Sequence, residues 1–266
     1  MPPDLYFVLT LIVKMAVTAG FVVAATVTAE RAGPVVGGLV ATLPISAGPV
    51  YVFLAMEHDP HFIAQSAVLS LVVNAANGTL AAVYAWLAQK RSLAVSLAGA
   101  MLVWFVTVLA LRSVEWKILS AAAMNAVVLT LCVLLTRELR HVRMPSFHAR
   151  WPDFVLRAAM VAILVGIVVT FSFQLGPARS GALAVFPVVL PSIAIVMHPR
   201  HGGRASAAVL ANAPIGLVGF AFACMVLHAA AEPLGNAAGL ALALATSIGW
   251  SLLMMLLHRP PAPELT

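Results

Sequence analysis

Lys14 interrupts an otherwise uncharged run from about 5 to 28. A cation inside an apolar span costs roughly 2.5–3.5 kcal/mol on insertion scales, so it should meet an anionic substrate or group, or the carbonyl ends of a broken helix. No Asp or Glu falls within any apolar run, and a carboxylate partner is therefore not visible. Arg157 is the other cation inside a run and lies near its start, where snorkelling to the interface is expected. Pro44 and Pro49, and again Pro187 and Pro191, are expected to free backbone carbonyls at mid-span. Proline supplies no N–H, and its ring clashes with the preceding turn. Freed carbonyls in lipid must line a cavity or find side-chain partners. Asn74, Asn77 and Gly78, three to four residues apart, read as one helix face that could bond a polar ligand or a neighbouring helix. Asn212 and Pro214 fall in a later run, and Asn125 is expected to join helices.

The histidines raise a second chemistry. His58 and His61 are three residues apart, with Glu57 and Asp59 beside them, and His198 and His201 repeat the spacing. Imidazole and carboxylate are divalent-metal ligands. One short loop rarely presents all four, so no metal is assigned, and His58 and His61 remain the nearest candidates. Catalysis lacks its parts: there is no Gly-x-Ser-x-Gly, Walker loop, HExxH or CxxC. Cys132 and Cys224 lie in separate apolar runs. Neither enzyme activity nor a cofactor is expected. With no acid inside a run the usual proton relay is missing too, and proton coupling would need Lys14 or a loop histidine.

The elements that position these residues follow from composition. Of 266 residues 62% are hydrophobic and 9% charged, with a mean hydropathy of +1.04. A soluble domain carries roughly 25% charged residues, so this chain could not cover a water-facing surface. It reads as an all-α integral membrane protein, because a backbone in lipid must satisfy its own hydrogen bonds and no alternating barrel strands are present. Uncharged or nearly uncharged runs fall at about 5–28, 34–56, 62–88, 93–111, 118–136, 154–175, 180–198, 205–229 and 237–257. Each approaches or exceeds the roughly 20 residues of a membrane helix. Met1 to Asp4 lack the positive start of a cleavable signal, so the first run is read as a membrane helix.

Nine spans with the N-terminus outside place ten Lys and Arg in inside loops and three in outside loops. Cytoplasmic loops carry the cationic excess. The net charge of +6 is thus a topology signal, and nucleic acid is not an expected partner.

An offset of 143 residues aligns the two halves. Lys14 meets Arg157, Gly38 meets Gly181, Pro44 meets Pro187 and His58 meets His201; after a two-residue deletion Gly78 meets Gly219. This pattern indicates an ancient duplication. The units are 1–112 and 151–266, each of four helices, joined by 113–150 with a linker helix and a basic loop. Five spans separate equivalent helices, so the second unit is inverted. Its hairpin from His198 to Arg204 is basic and falls inside, whereas Glu57 to His61 is acidic and falls outside.

The Gly38-Leu39…Pro44 start of the second run and its short polar hairpin resemble the small bacterial inner-membrane proteins of the GlpM family. The likeness covers about 5–112 and extends to each half through the repeat. It implies a four-helix membrane unit and transfers no substrate and no functional residues. The doubling and the Glu57-to-His61 hairpin depart from that family.

Inverted repeats are a recurring architecture of secondary transporters. The expected function is an alternating-access carrier of a small polar or anionic solute across the bacterial inner membrane, with the C-terminus cytoplasmic. A channel of the same architecture is one alternative, and a non-transporting accessory protein of an envelope-polymer or lipid biosynthesis complex is another. Small-residue faces such as Gly37-Gly38 and Ala98-Gly99 could pack helices within one chain or build a homo-oligomer.

Overall fold

A computed structural model describes residues 3–31, 46–140 and 151–257, with side chains of the first helix described from 8 to 24. Among the described residues there are helices and no strands. The helices are α1 (Pro3–Arg31), α2 (Ala47–Glu57), α3 (Pro60–Leu87), α4 (Leu93–Leu111), α5 (Ile118–Leu135), α6 (Trp151–Ala184), α7 (Val189–Leu234) and α8 (Asn236–Leu257), with a short 3-10 turn at Arg137–Leu139. Five stretches are long and apolar enough to cross a membrane: α3, α4, α5, α8 and the 84-residue run Trp151–Leu234. That run is about four times the length of one crossing.

The run is not continuous helix. Gly176 (φ 72°) breaks α6 and Gly202 (φ 83°) breaks α7, both in the left-handed region that a Cβ disfavours. Between α6 and α7, residues 185–188 leave helical conformation around Pro187.

Helix α3 is the axis of the fold. It packs against α4, α5, α6 and α7, and α1 packs on α6. Of its apolar window 83% is buried, against 17% for α4 and α8 and 22% for α5. Its sequence explains this: Ala64, Ser66, Ala67, Ser70, Ala75, Ala76, Gly78, Ala81, Ala82 and Ala85 are all small and all buried, which lets neighbouring backbones approach closely in lipid. At Gly181 the approach is closest, where an added Cβ would run into the Ser66 carbonyl. The outer helices present Leu102, Leu119, Leu131 and Leu253 outward. This apolar periphery is that of a multi-pass membrane protein.

Two expectations change at this level. Pro49 and Pro191 do not kink spans or free carbonyls. Each is the third residue of a helix, α2 and α7, that begins there. In a first turn the missing N–H had no intrahelical partner to lose. Pro187 lies in the non-helical break itself, and Pro44, Gly37 and Gly38 lie outside the described residues. The loop cation Arg140 is also more than a topology signal. Its guanidinium donates to the Ala211 carbonyl (3.1 Å), three residues before Pro214, and to the Thr136 hydroxyl (3.1 Å).

Candidate functional site

Lys14, on α1, forms an ion pair with Glu57, the last residue of α2. The Lys14 and Glu57 side chains are 12% and 23% exposed, and the ammonium lies 5.7 Å from the centre of the Phe53 ring. Thr18 donates its hydroxyl to the Lys14 carbonyl (2.8 Å). Glu57 Oε2 is buried and has no hydrogen-bond partner. No carboxylate was visible inside an apolar run, and the structure supplies one from just outside. The acid sits one residue past the apolar run, where it reads as loop, yet the helix carries it to its final turn.

Beyond Glu57 the chain reverses over His58 and Asp59 into α3. Asp59 caps α3 by accepting from the Phe62 N–H (2.8 Å), as an N-cap acid should. His58 stacks on Phe62 (3.7 Å between ring centres), meets Phe173 and bonds the Ser172 hydroxyl through Nε2 (2.8 Å). Burial pushes its pKa below the ordinary 6.5, against the smaller upward pull of Glu57 and Asp59. Asn236, at the start of α8, donates to the carbonyls of Ala55 (3.0 Å) and His58 (2.9 Å). His61 turns instead to Glu232 (2.8 Å). The two candidate metal ligands are thus engaged separately, and no group of three metal-ligating side chains occurs among the described residues.

The polar residues of α3 serve the broken segment of α6. Ser66 donates to the Pro177 carbonyl (3.0 Å), Ser70 to Gly181 (2.7 Å) and Asn77 to Val185 (3.0 Å). Trp104 of α4 donates to Asn77 Oδ1 (2.7 Å). Asn74 points elsewhere, to the Leu217 carbonyl of α7 (2.9 Å) and toward Asn125 of α5 (3.5 Å). Asn125 bonds the Leu71 carbonyl (2.5 Å), as a helix-joining residue should. Asn74 and Asn77 therefore do not share a ligand-facing surface: α5 and α7 receive one, α4 and α6 the other. A separation of three residues leaves the two side chains about 60° apart around the helix, so neighbours packed on the two sides of one broad face can each claim one amide. Asn212 bonds the Ala208 carbonyl of its own helix (2.9 Å) and joins neither.

Arg157 lies half-buried in the second turn of α6. Met15, next to Lys14, faces Gly166 of α6, nine residues and about 13 Å of helix rise beyond Arg157. The two sequence-paired cations are not brought to one level.

At the far end of α3, Tyr84 shares its hydroxyl with His198 Nδ1 (2.8 Å) and Ser206 Oγ (2.9 Å) of α7, and a Cβ on Gly203 would meet the Ala88 carbonyl. Sequence reasoning missed these contacts, together with the serines of α3. Their spacing, Ser66 and Ser70 four apart on an alanine-rich helix, is the one signal that could have found them.

A cavity of about 420 Å³ lies between α1, α2, α7 and α8, one turn from Lys14. Its walls include Val17, Thr18, Phe21, Gly48, Pro49, Phe53 and Cys224. Pro49 thereby lines a cavity, though as a first-turn residue. No protein-family model, curated protein or solved structure matches this chain.

Proposed function

We propose that the protein is a secondary transporter, carrying a small polar or anionic solute across a bacterial inner membrane by alternating access. In this reading nine crossings form two inverted four-helix repeats, 1–112 and 151–266, around the linker helix α5, with the N-terminus outside and the C-terminus cytoplasmic.

One observation carries it. The His58 turn opens α3, and the segment from His198 to Gly203 lies against the other end of the same helix, at Tyr84 and Ala88. That helix is 28 residues, about 42 Å. The offset pairs His58 with His201, next to the Gly202 break, and the contacts of these two segments at opposite ends of one central helix are what an inverted repeat predicts. A break is described in the second half, where residues 185–188 around Pro187 separate α6 from α7. Discontinuous helices are the usual pointer to a transport site.

The engagement of Ser66, Ser70 and Asn77 with backbone carbonyls favours a carrier over a channel with a continuous polar path. Lys14 supports an anionic substrate, which would compete with Glu57 for the ammonium. The likeness to GlpM-type proteins adds no function.

The test is topology. In a chain with Cys132 and Cys224 replaced, single cysteines at the exposed positions His61 and Arg204 are challenged in intact cells with a membrane-impermeant thiol reagent. Labelling at 61 alone is expected. Labelling at both, or at neither with lysed-cell controls positive, removes the inversion and puts a non-transporting accessory protein ahead.

A further inference from the structure

The cavity beside Lys14 has a one-sided chemistry. Of its seventeen lining residues only Thr18 and Tyr51 carry hydroxyls. Thr18 donates to the Lys14 carbonyl, and Tyr51 bonds Ser70 (2.6 Å), which in turn donates to Gly181. Neither hydroxyl hydrogen is left for a ligand. A polar solute would lose its water there and find little in return. Protein interiors are close-packed and rarely leave voids much larger than a water molecule, and apolar cavities stay dry and take up apolar guests. At about 420 Å³ this one falls within the roughly 300–1,000 Å³ of ordinary ligand sites.

Its opening faces the outer surface. Val17 and Phe21 of α1 are 58% and 52% exposed, Val52 of α2 47% and Leu244 of α8 46%. The inner wall, Ala47, Ala223, Cys224 and Leu227, is buried. A guest would thus come from the hydrocarbon side between α1, α2 and α8. One residue marks where a charged head would stop: Phe53 both lines the cavity and lies 5.7 Å from the Lys14 ammonium. An ammonium has three donors, one of them directed to Glu57.

We infer that this cavity binds the hydrocarbon chain of a single-chain anionic amphiphile, drawn laterally from the bilayer, with its head group at Lys14. Occupancy of the cavity stands by itself; that the amphiphile is the transported solute rests on the carrier proposed above.

The full-length protein in phosphatidylcholine nanodiscs is photolabelled with a palmitate carrying a mid-chain diazirine, and the adducts are mapped by mass spectrometry. Saturable labelling at Val17, Val52 and Leu227 is expected. Unlabelled palmitate should compete, and hexadecyltrimethylammonium should compete about tenfold less well, the size of one charge-assisted contact. Hexadecyl phosphate against palmitate separates a phosphate from a carboxylate head. A Cβ at Gly48 meets nothing within 4 Å, so Gly48→Leu should fill the space, fold normally and lose labelling about tenfold. Lys14→Met should weaken palmitate and leave the cationic competitor unchanged. Unsaturable labelling, or equal labelling of a folded Gly48→Leu, means boundary lipid only and overturns the site. Equal competition by the cationic chain overturns the anionic head. Saturable labelling combined with same-side labelling of positions 61 and 204 leaves an amphiphile-binding protein that is not a carrier. Opposite-side labelling with no saturable adduct leaves a carrier of another solute.

Discussion

Lys14 and Glu57, forty-three residues apart, form an ion pair that ties the middle of α1 to the end of α2. Neither residue is stable alone in an apolar setting. Together they neutralise each other beside the cavity and next to the turn that carries His58. The pair leaves Glu57 Oε2 without a donor, so the site has an unused acceptor as well as a shared cation.

Breaking this pair from one side should cost more than removing it. Lys14→Met or Glu57→Gln alone is expected to destabilise by about 2 kcal/mol, below the ~3–5 kcal/mol of a fully buried pair because both side chains are partly exposed. The double variant should recover most of that loss. Denaturant unfolding of the four proteins in one micelle gives the coupling energy, and an additive cycle would refute the pairing.

His58 sets a pH dependence. Its folded pKa is lowered from 6.5 by burial, so folding favours the neutral ring. That contribution is fully present above about pH 6.5 and is lost as pH falls through the lowered folded value. The thermal midpoint should drop on acidification below about pH 6.5 and level off below the folded value, and His58→Gln should flatten the drop. The charged groups beside the ring are Glu57 and Asp59; Ser172, Phe173, Phe62 and the amide of Asn236 complete its surroundings. An unchanged slope in the variant would assign the effect to another histidine.

Gly181→Ala inserts a methyl into the crossing of α6 with the Ser66 backbone. Backbone cannot move aside as a flexible side chain can, and overpacking of this kind costs about 1–3 kcal/mol. Gly48→Ala is the control, with open space around its Cβ. Equal stability of the two variants would contradict the close crossing.

Asn77→Leu strips the Val185 carbonyl and the Trp104 indole of their partner together. A loss of about 1–2 kcal/mol is expected, toward the upper end of hydrogen bonds between membrane helices. Trp104→Phe removes only one of the two bonds and should cost less. Asn212→Leu, whose bond stays within its own helix, should change unfolding little.

How legible the fold was depends on which residues are considered. The bounds of α4, α5 and α8 fall within a residue of the apolar runs at 93–111, 118–136 and 237–257. The runs at 154–175, 180–198 and 205–229 are less faithful. The breaks at Gly176 and Gly202 fall in the gaps between these runs, but a further break at 185–188 splits the run at 180–198, and helix continues to Leu234 past the end of the third. Prolines were good markers of where a helix restarts and poor markers of kinks, because a helix that begins at mid-span tolerates proline in its first turn. His58 was legible as a loop residue, whereas His61 lies in the first turn of α3 and His198 and His201 lie in α7, and His58 and His61 engage different neighbours, Ser172 and Glu232.

Composition and periodic spacing determined the class of this protein: a chain this apolar has to place helices against lipid, and the length of each apolar run sets where they lie. Which helix occupies the centre was decided by tertiary structure, although the small residues of α3 made it eligible. So were the partner of Lys14, the divergence of Asn74 from Asn77, and the cavity at Gly48. Each depends on the depth and rotation of one helix against another. Hydropathy is nearly silent on those two variables, because in lipid an apolar side chain gains little by facing another helix instead of a lipid tail.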